Sequence, residues 1–207
     1  MDFLTLCQRL RQETGIADSG PSNVTGQVGD MKRLVDWTNE SWLRIQSSQA
    51  SWNWMWVQSS ATATVGDAVL TLALDVERVA YLRVGDYTLT EIDYDTYRET
   101  YQTLNDGRPT GYAVRPDGVF VFNTLPDQAY GVVYEYYSTP AYLVNNIDVP
   151  AMPQRFHMLI VWGALMEYAL FDEANELLNK ANLNYQQLFA ELMRDQSPEI
   201  GLPGAIA

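Results

Sequence analysis

The sequence predicts an α+β fold, a helical bundle from the N- and C-terminal helices with an inserted antiparallel β module. Three observations carry this. Apolar residues recur at helical spacing from Asp2 to about Gln49, and again from Pro153 to Asp195. Between about Trp54 and Ser138 the period drops toward two, and Val, Thr and Tyr become frequent. Turn signals divide that middle stretch: Gly66-Asp67, Gly85-Asp86, Pro116-Asp117-Gly118 and Pro126-Asp127. The implied parts are 1–53 (N-terminal helices of the bundle), 54–139 (β module), 140–195 (C-terminal helices of the bundle) and 196–207 (an extended tail). A chain of 207 residues buries ~70% of the surface its unfolded form exposes, so disulfides and metals are not needed to fold it.

Each element has its own signal. From Asp2 to Glu13, Phe3, Leu6, Cys7 and Leu10 share one helix face, and Gly15 supplies a stop. A polar loop, Asp18 to Gly29, leads to a second helix with Asp30 as its N-cap and Met31, Leu34, Val35, Thr38, Trp42 and Ile45 on one side. Predicted strands are Trp54–Ser60, Val69–Leu74, Val76–Val84, Gly111–Arg115, Val119–Asn123 and Val132–Tyr137, with a hairpin through Pro116-Asp117-Gly118. A short helix interrupts them between Asp93 and Leu104. An extended connector, Pro140 to Pro150, leads to a helix with Pro153 in its first turn, which buries Phe156, Leu159, Ile160, Gly163, Met166 and Leu170. The last helix is expected to begin at Asp172. Leu178, Ala181, Tyr185, Leu188 and Leu192 form its seam, and Asp172, Glu173 and Glu176 favour its positive end.

Charge narrows the function. Acidic residues number 26 and basic ones 13, a formal net charge of −13, and the only lysines are Lys32 and Lys180. This excludes a protein whose main task is gripping nucleic-acid phosphates, which needs clustered Lys and Arg. The single Cys7 excludes an internal disulfide framework and a cysteine-rich metal site. The start, Met1-Asp2-Phe3-Leu4, lacks the basic region of a secretory signal, and the longest apolar run, Met158–Met166, is too short to span a bilayer. A protein made in a cytosol, without membrane insertion, is expected.

Several residue groups have two readings. Trp52, Trp54 and Trp56 alternate; on a strand they would share a face, as a sugar-stacking platform or interface anchor, whereas the burial habits of Trp favour a cap on the core. Tyr130, Tyr134, Tyr136 and Tyr137 make a tyrosine-rich strand, either a contact surface or ordinary strand composition. Glu91, Asp93 and Asp95 are oxygen ligands in principle but lack the glycine and distal Glu of a calcium loop, so a solvated acidic edge is the better reading. His157 is the only histidine, and no nucleophile elbow, P-loop or dinucleotide fingerprint is present. No catalytic residue, metal site or cofactor is therefore assigned.

The stretch Pro150–Leu170, PAMPQRFHMLIVWGALMEYAL, is densest in recognisable texture at Pro153, Phe156, His157, Leu159, Ile160 and Trp162. With the acidic helix Asp172–Asp195 behind it and the helix Asp30–Gln49 leading into Trp52-Asn53-Trp54-Met55-Trp56, the chain resembles the head-to-tail connector (adaptor) proteins of tailed bacteriophages. The resemblance implies a non-enzymatic virion protein, made in the host cytoplasm and placed in the neck. It implies a ring, typically dodecameric, that binds the portal protein, extends its channel and docks the next tail or neck component. Genome DNA would pass through without tight binding, which the net charge of −13 suits, although the plainer reading of that charge is a surface kept soluble. Ring closure needs one patch to meet a different patch on the neighbour. The candidates for subunit or portal contact are the amphipathic last helix, Ile200, Leu202 and Ile206 of the tail, and Trp52, Trp54 and Trp56. Pro198, Gly201, Pro203 and Gly204 exclude a helical stripe in that tail, which leaves two readings: an extended segment ordered in a neighbour's groove on assembly, or a disordered tail. The rival readings are a carbohydrate- or receptor-binding β module of a virion and a two-carboxylate glycosidase.

Overall fold

The computed structural model describes residues 1–196. They divide into a helical unit, residues 1–54 with the chain from 140 onward, and a strand unit, residues 55–139.

In the helical unit, α1 (Phe3–Glu13) and α2 (Gly29–Ser47) precede the excursion into strands, and α4 (Met158–Phe171) and α5 (Asn175–Gln196) follow it. Asp2 caps α1 by accepting the Thr5 N–H at 2.8 Å. Phe3, Leu6, Cys7 and Leu10 are buried, as their spacing predicts. Asp30 does not cap α2. Val28 holds the cap position without a side-chain bond, while Asp30 sits in the first turn and pairs with Arg33 at 3.1 Å. Pro153 precedes a short 3-10 turn, Gln154–Phe156, and α4 begins only at Met158.

Helix α4 is the centre of this unit. It packs against α1, α2 and α5, and a helix covered on several sides has no polar face to keep. That explains the nearly uninterrupted MLIVWGALMEYALF. Leu159, Ile160, Gly163, Ala164 and Leu165 are buried, but Leu170, expected inside, is exposed. The last helix starts three residues later than expected. Asp172 ends α4, and Glu173 adopts a left-handed conformation (φ 55°), so of the three acids only Glu176 lies in the first turn of α5. Along the α5 seam Ala181 and Leu192 are buried, while Leu178, Tyr185 and Leu188 are half-buried.

The strand unit holds two four-stranded sheets. The first, in order β1-β8-β3-β4, uses β1 (Trp56–Ala63), β3 (Val76–Val84), β4 (Tyr87–Thr88) and β8 (Tyr130–Ser138), all antiparallel. The second, β2-β7-β6-β5, uses β2 (Val69–Leu70), β5 (Thr90–Glu91), β6 (Gly111–Val114) and β7 (Phe120–Phe122). Its β5–β6 pair is parallel, so the module is not purely antiparallel. The short helix α3 (Tyr94–Thr100) lies in the β5–β6 connection. The expected hairpin forms: Tyr112 faces Phe122, Val114 faces Phe120, and Gly118 takes the left-handed conformation (φ 81°) that the turn requires. Ala63, Leu82, Val84, Val132, Tyr134 and Tyr136 of the first sheet share one core with Leu70, Tyr112 and Phe122 of the second.

One ion pair anchors the α1–α2 loop. Buried Arg11 donates to Asp18 through Nε at 2.7 Å and Nη2 at 2.5 Å, and the Gly20 N–H adds a third bond at 2.9 Å. These bonds, Arg11 first, hold the Asp18 carboxyl down at about 2, from an ordinary value of 3.8. A depressed carboxyl contributes stability above its unfolded pKa and loses it as pH falls toward the folded value. Asp18→Asn is therefore expected to melt below the unmodified chain at neutral pH and to match it near pH ~2. Equal melting temperatures at neutral pH would show that the pair contributes nothing.

Candidate functional site

The residues with chemical potential are each used locally. Cys7 lies inside α1's buried face, and burial pushes its thiol up to about 12, which makes it a packing group, not a nucleophile. His157 is buried. Its Nε2–H donates to the Met152 carbonyl at 2.9 Å, so Nδ1 is the acceptor that faces the Met1 amine at 2.8 Å. Burial moves its pKa below the ordinary value. Asp93 caps α3 by accepting the Asp95 and Thr96 N–H groups, and Asp95 pairs with Arg98 at 3.3 Å. Among the described residues no three His, Cys, Asp or Glu side chains converge in a metal-binding group.

The tryptophans do not share a strand face. Trp52 is buried before the first strand, and Trp54 stands in a 3-10 turn and stacks on it, with ring centroids 4.3 Å apart. Trp56 alone reaches β1, where it is 44% exposed and faces Tyr137. The chain turns between Trp52 and Met55, so no strand face runs through all three, and Trp52 is buried as the burial habits of Trp favour. Trp52 thus has no surface to offer a neighbour; its place is in this chain's own core. The tyrosine strand divides by side. Tyr134 and Tyr136 point inward and stack on each other at 5.5 Å, and the Tyr136 hydroxyl donates to Asp75 at 3.0 Å. Burial raises the Tyr136 phenol to about 12. A sugar platform across the whole strand is therefore not formed. Ile200, Leu202 and Ile206 lie outside the described residues.

Composition did not single out the connector from Pro140 to Pro150. It is a strap pinned to the helices by side chains that act like a neighbouring strand. On α2, Asn39 donates to the Leu143 carbonyl at 2.8 Å and accepts its N–H at 2.9 Å. Two turns on, Gln46 does the same for Ala141 at 2.9 and 3.1 Å. Asp148 accepts the Val144 and Asn145 N–H groups at 2.7 Å each, and the Phe3 and Leu4 N–H groups donate to the Asp148 and Asn146 carbonyls. Leu143 points inward, whereas Tyr142, Val144, Ile147 and Val149 stand exposed. The only available signal was their alternation, Tyr142/Val144 and Ile147/Val149, in a stretch with no regular element. A second exposed apolar region lies at the end of α4, with Leu170 and Phe171. Beside it is a cavity of about 100 Å³ lined by Ile16, Leu34, Trp37, Tyr168 and Phe171, with Asp30 and Asp172 among its polar walls.

Over the described residues the fold is a helical bundle with an inserted sheet module, and it displays apolar side chains on a hydrogen-bonded strap rather than gathering reactive groups. The match to a family model makes this specific: the SU10 adaptor protein family covers residues 1–203, and the chain belongs to it. It is a structural adaptor protein of a phage virion, from a family that is not enzymatic. No curated protein matches the chain. Among the described residues, no helix is long and apolar enough to cross a membrane.

Proposed function

We propose that this adaptor forms a ring, dodecameric by resemblance to its class, between the portal protein and the next tail or neck component, in the neck of the virion. There it extends the DNA channel and passes the genome during ejection. The observation that carries this reading is membership of the adaptor family over nearly the whole chain. Two features support it. A subunit at −13, repeated around a ring, repels a duplex more than it holds it, as a conduit requires. The pinned strap displays apolar groups with little ordering left to lose on binding, which favours affinity.

Within this reading the tail, with Ile200, Leu202 and Ile206, contacts a neighbouring subunit or the portal, and exposed Trp56 is a further contact. Electron microscopy of the full chain mixed with portal rings is expected to show an added ring of density. A chain lacking Pro198–Ala207 is expected to keep its circular dichroism spectrum and melting temperature but to bind portal or itself at least about tenfold more weakly, the scale of losing one or two interface anchors. Undiminished binding by the truncated chain would remove the tail from the interface. Absence of added density with the full chain would remove the portal-ring reading.

A further inference from the structure

We infer that the strap and the α4-end cavity are complementary halves of one contact between copies of this chain, with Ile147 of one copy entering the cavity beside Phe171 of the next. The first argument is position. The strap meets the start of α1 through the Phe3 and Leu4 N–H groups, and meets α2 at Asn39 and Gln46. The cavity lies toward the other end of α1 and α4, using Ile16 beyond α1 and Tyr168 and Phe171 of α4, with Leu34 and Trp37 of α2 in its wall. Helix α4 has 14 residues, so its two ends are separated by roughly 20 Å. One subunit can therefore engage two neighbours at once. A patch that fits a pocket elsewhere on the same molecule makes a head-to-tail contact, the kind that closes into rings.

The second argument is shape and chemistry. A cavity of about 100 Å³ holds one branched aliphatic side chain and little more. Ile147 is 80% exposed, on a backbone fixed by Asp148 and by the start of α1. The cavity walls are aromatic and aliphatic, with Trp37 lying 5.8 Å from Phe171 and the Arg33 guanidinium 4.3 Å above the Phe171 ring. Around it Leu170, at 60% exposed, and Phe171, at 54%, extend the apolar surface. The polar walls carry both signs, with Arg11 beside Asp30 and Asp172, so an uncharged aliphatic group fits the space without leaving a charge unpaired.

This inference rests on the ring reading above and assigns the surfaces that form the ring. It is tested with the full chain, sized by sedimentation and by electron microscopy, alone and on portal rings. Ile147→Asp and Phe171→Asp are each expected to weaken self-association at least about tenfold, with unchanged melting temperatures, whereas Ile147→Leu assembles normally. Should Phe171→Asp lower the melting temperature, Leu170→Asp tests the same surface. The distinguishing result is the mixture. Each variant alone stays monomeric, but together they pair through the one intact knob and the one intact cavity, giving dimers and no rings. Ile147→Asp assembling normally, or a mixture that forms no dimers, overturns the inference. So does a variant that self-assembles but loses portal binding, since the strap would then face the portal. An unmodified chain that binds portal yet never joins itself overturns the inference and leaves the adaptor role standing.

Discussion

Trp52→Ala is expected to destabilise the helical unit by about 4 kcal/mol, among the largest effects of any single truncation in the chain. The ring is fully buried, stacked on Trp54 and met edge-on by Phe189 with centroids 6.4 Å apart. Its Nε1–H donates to the carbonyls of Ile45 at 2.9 Å and Gln46 at 3.1 Å. Those carbonyls belong to the last turn of α2, where the Ile45 carbonyl also accepts from the Ser48 N–H at 3.2 Å and the Ser48 hydroxyl at 2.7 Å. Alanine leaves a cavity and two carbonyls without this donor. Phenylalanine fills most of the space but cannot donate, so Trp52→Phe isolates the hydrogen-bond part at about 1–2 kcal/mol. Denaturant unfolding of the two variants beside the unmodified chain measures both. A loss below about 1 kcal/mol for Trp52→Ala would contradict the packing described.

The same residue shows what the sequence reveals and what it hides. The helices were legible because a buried stripe recurs every three or four residues: Phe3, Leu6, Cys7 and Leu10 need no knowledge of what covers them. The hairpin was legible because Pro116-Asp117-Gly118 sets its turn locally. For Trp52, Trp54 and Trp56 period two allowed a strand face while the burial habits of Trp favoured a cap on the core, and the chain's path past Ile45 and Gln46 puts Trp52 inside. The two-residue strand β5 is too short to carry a pattern, so its parallel pairing was invisible. The strap was hidden for a different reason. Asn39 and Leu143 are 104 residues apart, and Gln46 and Ala141 are 95 apart, so the bonds that turn an irregular connector into a rigid surface leave no local mark. The exposed Leu170 likewise looks like the end of a core stripe until α5 is seen to begin beyond Glu173.

Gly163→Leu is expected to cost about 3 kcal/mol or more, and to disturb assembly with it. Glycine inside an apolar helix forfeits about 1 kcal/mol of helix propensity, so it persists where space forbids a side chain. A Cβ on Gly163 would stand 2.2 Å from Ser41 Oγ, 3.3 Å from Ser41 Cβ and 3.2 Å from the Tyr185 ring. Ser41 is on α2 and Tyr185 on α5, so Gly163 is where α4 lets both helices close on it. The closest atom, Ser41 Oγ, is buried without a hydrogen-bond partner and can rotate aside. Alanine therefore costs far less than leucine, its clash partly offset by the gain in propensity. Ser41→Ala removes that atom altogether, so Gly163→Ala is expected to be better tolerated in its presence, with a coupling of at least about 0.5 kcal/mol in a double-mutant cycle. Additivity in that cycle would mean that α2 and α4 do not meet at this point. The assembly consequence follows from the same helices: α2 carries Asn39 and Gln46 beneath the strap and Trp37 in the cavity wall, and α4 carries Phe171. A leucine that drives α2 from α4 widens the cavity and tilts the strap together. Gly163→Leu should therefore lose self-association at temperatures where circular dichroism still reports a folded chain, whereas Gly163→Ala with Ser41→Ala should keep it.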